Sequence, residues 1–200
     1  GNTVAGYTGT VTLASSDTKA ALPAAYTFTS ADKGVHVFTG VTFKTSGAQT
    51  LSAADGTLTA TANVTVAAAG AAKLSVTGLS SPFTAGTVGT LVVKALDAFD
   101  NVAVGYGGTV MFSSTDAQAQ LPADYAFVTT DQGTRSFSVS LRTVGTREVT
   151  VSDQAASLTA SQAGIQVVPA AVQGFKITGL PTSVVAGEVR SPGCTRRSAR

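Results

Sequence analysis

The most promising side chains for chemistry in this 200-residue chain are three oxygen-bearing residues in one short stretch, Asp97, Asp100 and Asn101. Oxygen ligands on a loop can bind calcium, which takes about six to eight of them. These three lack the spacing of an EF-hand loop, so they make only a weak calcium candidate. Asp and Asn in such a stretch more often bond nearby backbone N–H groups and cap a turn. The sequence favours the turn, with calcium as the alternative.

Side chains for acid–base or nucleophilic catalysis are scarce. His36 is the only histidine, and the matching position later in the chain is Arg135. One histidine builds neither a multi-histidine metal site nor a histidine-based nucleophile system that would recur in both copies. We interpret His36 as an outward-facing strand residue. The sequence therefore predicts that the chain is not an enzyme, with no catalytic residue and no cofactor.

One stretch of the chain occurs twice, and it organises everything else. Residues 6–28 read GYTGTVTLASSDTKAALPAAYTF and residues 105–127 read GYGGTVMFSSTDAQAQLPADYAF, with 13 of 23 positions identical. Repetition of this length indicates stacked copies of one structural module. The carboxylates recur as well, as the pairs Asp17/Asp116 and Asp32/Asp131, which is the pattern expected of turn residues.

Aromatic residues recur in the same way, and their repetition favours packing over ligand binding. Each can bury a large apolar area in a module core. A sugar-stacking platform is the alternative, but it would favour tryptophan, which the chain lacks. We predict core or near-core positions for the four pairs Tyr7/Tyr106, Tyr26/Tyr125, Phe28/Phe127 and Phe38/Phe137.

Composition and charge exclude some partners. Hydrophobic residues make up 44% of the chain, but charged residues only 12%, against roughly 25% in a typical domain. Four arginines lie in residues 190–200, and residues 1–189 carry nine Lys and Arg against eleven Asp and Glu, a net charge of −2. With no basic stripe, nucleic acid is a poor candidate partner. The longest weakly polar run, around residues 64–72, is far shorter than the roughly 20 residues that span a bilayer, so we predict no membrane span in this fragment.

Hydrophobic periodicity predicts strands throughout. Residues 58–66 alternate strictly between apolar residues and Thr or Asn, which indicates a strand with one buried face. Residues 35–44 are predicted as another strand, with Gly40 as a β-bulge, and Gly164 as a second bulge before Ile165. Residues 72–168 contain seven short strands separated by turn signals and no helical period. This pattern predicts an antiparallel β-sandwich.

The repeat also predicts domain boundaries. Asn2 aligns with Asn101, so residues 1–68 correspond to a module without its first strands, and residues 72–168 to a complete one. Residues 172–189 begin a third copy, in which 175–180 match 74–79, and residues 190–200 form a basic tail without homology to the repeat. The tail contains the only cysteine, Cys194, and has no apolar periodicity. We interpret it as an out-of-frame or vector-derived end rather than a segment that evolved to fold, and the alternative is a genuine basic tail.

The chain resembles the tandem bacterial immunoglobulin-like repeats of large surface and secreted proteins, the broad group that includes the invasin and intimin extracellular domains. The residues that carry the resemblance are 93–101 (VKALDAFDN), 105–112 and the Thr-rich strand 158–167. The resemblance implies tandem immunoglobulin-like antiparallel β-sandwiches, the first and last truncated, in an extracellular or cell-surface protein. It brings no catalytic residues with it.

The resemblance also implies a function. Such modules act as non-catalytic spacers or stalks, and the alternative is an adhesive or carbohydrate-binding module, accessory to a secreted hydrolase. The implied partners are neighbouring immunoglobulin-like repeats, or a host or cell-surface protein or glycan.

Because the first module lacks strands, we expect residues 1–66 to be loosely ordered in a monomer. We also expect the fragment to self-associate, with 175–180 of another chain adding to the open module.

Overall fold

The computed structural model describes residues 2–198 and is all-β apart from two single-turn 3-10 helices, Ser30–Asp32 and Thr129–Asp131. Among these residues, no helix has the length and apolar character needed to cross a membrane. The chain divides into two compact units. Unit 1 holds the chain up to Ala72 together with Leu96–Val104, and unit 2 holds Lys73–Ala95 and the chain from Gly105 onward.

Unit 1 contains one antiparallel sheet of four strands. They are β1 (Thr10–Ser15), β2 (Tyr26–Thr27), β3 (Gly47–Ala54) and β4 (Thr59–Val66). Their order across the sheet is β2-β1-β3-β4, so β4 is an edge strand. The pairing of β3 with β4 is the longest and runs without a bulge from Gly47 opposite Val66 to Ala54 opposite Thr59.

Unit 2 contains two sheets that face each other and a separate hairpin. The three-stranded sheet has the order β10-β7-β5, and the five-stranded sheet has the order β6-β12-β11-β8-β9, in which only β6 runs parallel to its neighbour. The strands are β5 (Lys73–Thr77), β6 (Phe83–Thr84), β7 (Gly89–Leu96), β8 (Thr109–Ser114), β9 (Tyr125–Ala126), β10 (Thr134–Val139), β11 (Gly145–Asp153) and β12 (Leu158–Val168); the hairpin pairs β13 (Val172–Thr178) with β14 (Gly193–Ser198).

The core of unit 2 is built from alternate residues of both sheets. Leu91 and Val93 of β7 are fully buried, as are Val149 and Val151 of β11 and Val110 of β8. Because successive side chains of a strand point to opposite faces, this alternation places one face of each sheet against the other. The predicted antiparallel β-sandwich is confirmed for this part of the chain.

The single sheet of unit 1 matches the five-stranded sheet of unit 2 without its β6. The order β2-β1-β3-β4 corresponds strand for strand to β9-β8-β11-β12. Within the described residues, unit 1 contains no counterpart of β5 or β7, the strands that begin the facing sheet. The two copies of the repeated stretch therefore share one sheet and differ in whether a second sheet covers it.

The predicted strand over residues 35–44 is wrong. This segment makes only an isolated bridge, Thr42 with Ala21, and Gly40 lies in irregular chain at φ +85° rather than in a bulge. Its counterpart β10 is a strand because it pairs along its length with β7. No strand among the described residues of unit 1 lies in the position of β7, so 35–44 lacks the partner along which β10 pairs.

The buried face predicted for residues 58–66 is also wrong in part. The strand forms, as Thr59–Val66, but Leu58 is 68% exposed, and Ala60 and Ala62 are exposed as well. In unit 2 the matching strand buries Ile165 and Val167. The alternation is real, but the sheet that would cover it is not part of unit 1.

The bulge predicted at Gly164 is confirmed. The pairing of β11 with β12 places Arg147 opposite Ile165 and then Val149 opposite Gln162, so β12 has one extra residue. Gly164 has a φ of +71°, a left-handed conformation that glycine adopts without a steric penalty.

The basic tail forms a strand, which its sequence did not indicate. Gly193–Ser198 pairs antiparallel with Val172–Thr178, and the side chains of Phe175 and Ile177 remain largely exposed. Backbone N–H and C=O groups along an open strand edge can pair with another strand whatever its side chains. The hairpin is thus paired along its backbone, and neither Phe175 nor Ile177 belongs to a core.

Candidate functional site

The calcium candidate forms a hydrogen-bonded loop within unit 1. Asp97 is almost fully buried. Its Oδ1 accepts bonds from the backbone N–H groups of Phe99 (2.8 Å) and Asn101 (2.9 Å). Its Oδ2 accepts from the Ala69 N–H (3.1 Å) and from Asn101 Nδ2 (2.8 Å). Each carboxylate oxygen therefore already has two donors, which is the geometry of a turn cap.

The other two members of the candidate lie in different surroundings. Asn101 Oδ1 accepts from the Ser46 N–H at 2.9 Å, and its Nδ2 also donates to the Lys44 carbonyl at 2.8 Å. Asp100 is exposed on the turn with a φ of +74°. The structure brings Asp97 and Asn101 together, with Asn101 as the donor and Asp97 as the acceptor. Calcium binding at this loop stays a prediction, and its test is given below.

The hydrogen bonds also determine the charge of Asp97. Burial opposes ionisation of the carboxyl, but the bonds from Asn101, Ala69 and Phe99 outweigh it and lower its pKa to about 2. An ionised carboxylate is therefore held in place by N–H donors alone. Across residues 2–198, no group of three or more His, Cys, Asp or Glu side chains is placed to hold a metal ion.

The lone histidine is stacked on an aromatic ring. The ring centroids of His36 and Tyr26 lie 3.4 Å apart and the rings are nearly parallel. In the second copy, Arg135 lies over the ring of Tyr125 at 4.4 Å and pairs with Asp131 at 2.7 Å. The position therefore holds a planar polar group over a tyrosine in both copies. His36 lies in irregular chain, so the predicted strand setting is wrong, because residues 35–44 lack a pairing partner.

The recurring carboxylates make the same bonds in both copies. Asp116 Oδ2 accepts from the backbone N–H groups of Arg142 (2.6 Å) and Thr143 (2.9 Å), and Oδ1 accepts from Thr143 Oγ1 (2.6 Å) and the Gln118 N–H (2.9 Å). Asp17 does the same with Lys44, Thr45 and Lys19, at 2.6 to 2.9 Å. Although burial opposes ionisation, these bonds lower the pKa of both carboxyls, that of Asp116 to about 2. The predicted bond to nearby backbone forms in both residues, to Gln118 and Lys19, and the bonds to backbone 26 to 28 residues away were not predicted.

A second recurring pair joins a tyrosine to an aspartate that sequence reasoning missed. Tyr106 Oη donates to Asp153 Oδ2 at 2.6 Å, and Tyr7 Oη donates to Asp55 Oδ2 at 2.6 Å. Burial and the adjoining carboxylate raise the pKa of Tyr106. The available signal was an aspartate at the C-terminal end of the matching strands, directly after β3 and as the last residue of β11. Each pair joins the C-terminal end of one strand, β3 or β11, to the loop that precedes another strand, β1 or β8.

The remaining feature is an open apolar face on the sheet of unit 1. Its six residues are half-exposed, whereas their counterparts in unit 2 are buried. Part of the face lines a cavity of about 650 Å3 that also includes Tyr7, Asp55 and Leu58. We call the following six residues the open face: Val11, Phe28, Leu51, Ala53, Val64 and Val66, which correspond to Val110, Phe127, Val149, Val151, Ile165 and Val167.

Comparisons with known proteins give resemblances of fold only. No protein-family model matches the chain, and no curated protein matches it. A glycosyl hydrolase family 2 member from Bacteroides cellulosilyticus is 14% identical over 80% of this chain, with a TM-score of 0.45. The S-layer protein SbsC is 18% identical over 89% of this chain, with a TM-score of 0.40. This chain spans 22% of the length of each of those chains. At these scores the likenesses carry no argument about function.

Proposed function

We propose that this chain is a non-catalytic structural segment, a spacer built from immunoglobulin-like modules in a bacterial surface or secreted protein. The observation that carries the proposal is the use of its carboxylates. Asp17 and Asp116 each bind backbone N–H groups in the same way, and Asp97 binds them in the loop of unit 1. A carboxylate whose two oxygens each accept two hydrogen bonds fixes the local backbone and is poorly placed to exchange protons with a substrate.

The connectivity of the chain around the Asp97 loop also supports the spacer proposal. Residues 96–104 begin at the last residue of β7 but belong to unit 1, so the chain passes between the units at three places. Within unit 1, Asn101 bonds the Lys44 carbonyl and the Ser46 N–H, and Lys19 Nζ donates to the Phe99 carbonyl at 3.0 Å. A spacer needs such cross-links within each unit in order to bear load.

Mechanical unfolding of single molecules tests the proposal. The whole chain is pulled between handles at its two ends. We expect one cooperative event that releases residues 72–168, about 340 Å of extended chain at roughly 3.5 Å per residue. The comparison variant is Asp116→Asn, in which we expect the same event to occur at a lower unfolding force. Extension without a force peak would contradict the spacer function.

An adhesive or carbohydrate-binding function is the second candidate, favoured by the cavity on unit 1. Tyr7 and Phe28 lie in that cavity with ring centroids 5.1 Å apart, and aromatic rings are common partners of sugar faces. A screen against glycans and surface proteins tests this function. Saturable binding that Phe28→Ala abolishes and Val37→Ala, at an exposed position outside the cavity, preserves would favour adhesion over the spacer.

A further inference from the structure

We propose that the open face of unit 1 is a docking site for a second copy of this chain, which contributes residues 175–185. Unit 2 already contains both halves of such an interface. There the counterparts of the open face are buried beneath the sheet that includes β5, and β6 pairs with the edge of β12. The open face corresponds to one side of this interface but lacks the strands that cover it in unit 2. Residues 175–185 correspond to the other side but lack the sheet on which their counterparts pack.

The second half is identified by comparing burial at matched positions. Leu74 and Val76 of β5 are 6% exposed, whereas Phe175 and Ile177, which match them at a period of 101 residues, are 71% and 64% exposed. The same holds farther along, where buried Leu79 and Phe83 match exposed Leu180 and Val184. Large apolar side chains at four positions of one segment thus lack the cover that their counterparts have.

The receiving edge is identified in the same way. In unit 2, β6 pairs in parallel with β12, Phe83 opposite Val167 and Thr84 opposite Val168. The matching positions in unit 1 are Val66 and Ala67, at the end of the edge strand β4. Residues 184 and 185 of a second copy can therefore pair with this edge while Phe175 and Ile177 cover the face of the sheet.

One contact in unit 2 has no counterpart in unit 1, and restoring it provides a test of the proposal. In unit 2 the side chain of Gln162 bonds both backbone groups of Leu79, accepting from its N–H at 3.0 Å and donating to its carbonyl at 2.6 Å. The matching residue in unit 1 is Ala62. Ala62→Gln restores these two hydrogen bonds toward Leu180 of the second copy, so we expect it to tighten association about tenfold.

The proposed contact joins two different surfaces, so it does not saturate in a symmetric dimer. Each added copy presents a new open face and a new exposed segment 175–185, which leads to chains of copies when the arrangement does not close on itself. The mean mass of the species should therefore rise with concentration beyond that of two copies.

Sedimentation velocity of the full chain over the micromolar range is the test, with Ile177→Asp and Thr178→Asp as a matched pair. Both variants add one negative charge at neighbouring exposed positions, but Thr77, which matches Thr178, is exposed in unit 2 and Val76 is buried. We expect the unchanged chain and Thr178→Asp to associate and Ile177→Asp to remain monomeric. The thermal transition of unit 2 should be the same in all three.

Three results would overturn the proposal. They are a monomeric unchanged chain throughout the range, association of Ile177→Asp equal to that of the unchanged chain, and equal loss of association in both variants. Failure of the spacer function would leave this test unaffected, because the test does not depend on load or on glycan binding.

Discussion

At the scale of single residues, the polar groups of this chain serve its backbone. Asp116 joins the Gln118 turn to the backbone of Arg142 and Thr143, and Asp17 makes the matching bonds in the first copy. Hydrogen bonds to a charged group are stronger than those between neutral groups. We therefore expect these carboxylates to matter for stability wherever they are buried.

Asp116→Asn tests this role directly. The substitution replaces one acceptor oxygen by an NH2 group, so at least one N–H donor loses its partner in a buried setting. We expect unit 2 to lose about 3 kcal/mol of stability. Chemical denaturation monitored by tyrosine fluorescence measures the loss. A change below about 0.5 kcal/mol, as at an ordinary surface position, would contradict the role.

The same carboxylate makes the stability of unit 2 depend on pH. Its pKa is lowered from 3.8 to about 2 on folding, so the unfolded chain binds protons more readily. The contribution of Asp116 is therefore complete above the unfolded pKa and is lost as the pH falls toward 2. Denaturation curves across this range should show a smaller loss in Asp116→Asn than in the unchanged chain. Identical curves would contradict the assignment.

Calcium should leave the chain unchanged, because both oxygens of Asp97 already accept two hydrogen bonds. A ligand present at a hundred times its dissociation constant stabilises the native state by about 2.7 kcal/mol, which a melting curve detects readily. We expect equal melting temperatures in millimolar calcium and in EDTA. A clear rise with calcium, absent in Asp97→Asn, would show a metal site at this loop.

At the scale of elements, what the sequence predicts is local pairing, and what it misses depends on partners elsewhere in the chain. The alternation of residues 58–66 and the bulge at Gly164 follow from the residues themselves, and both features form. The burial of 58–66 and a strand over 35–44 require a facing sheet and a neighbouring strand. Unit 1, as described, contains neither.

The candidate sites show the same division. The turn role of Asp17 and Asp116 was predictable, because Asp before a turn bonds nearby backbone in many proteins. The partnership of Tyr106 with Asp153 was not, because 47 residues separate them and only the folded sheet brings them to 2.6 Å. The pairing of β13 with the basic tail was also not predictable from the sequence pattern, since backbone groups pair along both strands whatever their side chains.

A graft tests whether the missing strands alone account for the difference between the units. A second copy of residues 72–100 is fused ahead of Asn2, in the register of its own repeat. We expect residues 35–44 to become a protected strand like β10 and unit 1 to gain a cooperative thermal transition. The matched control is the same graft with Asp at the positions that correspond to Leu91 and Val93, which are fully buried in unit 2.

The outcome that contradicts this account is equally specific. If the graft and its control give the same melting curve and the same amide protection over 35–44, the extra strands do not complete the module. The interpretation of the open face would then be wrong, whatever the oligomeric state of the chain.

At the scale of the whole molecule, the chain contains one sheet in two settings. In unit 2 a second sheet covers it, and in unit 1 its apolar side remains half-exposed. Leaving about 300 Å2 of apolar surface uncovered forfeits roughly 7 kcal/mol, which is comparable with the entire stability of a domain. We therefore expect unit 1 to be far less stable than unit 2 in an isolated monomer.

Amide hydrogen exchange of a monomeric sample tests this claim most directly. The Ile177→Asp variant at low concentration keeps the chain from associating, and matching strands are compared within one molecule. We predict fast exchange in β3 and β4 and slow exchange in β11 and β12, because protection tracks the free energy of opening. Equal protection of the two pairs of strands would show that the uncovered sheet is stable by itself, and would contradict the account.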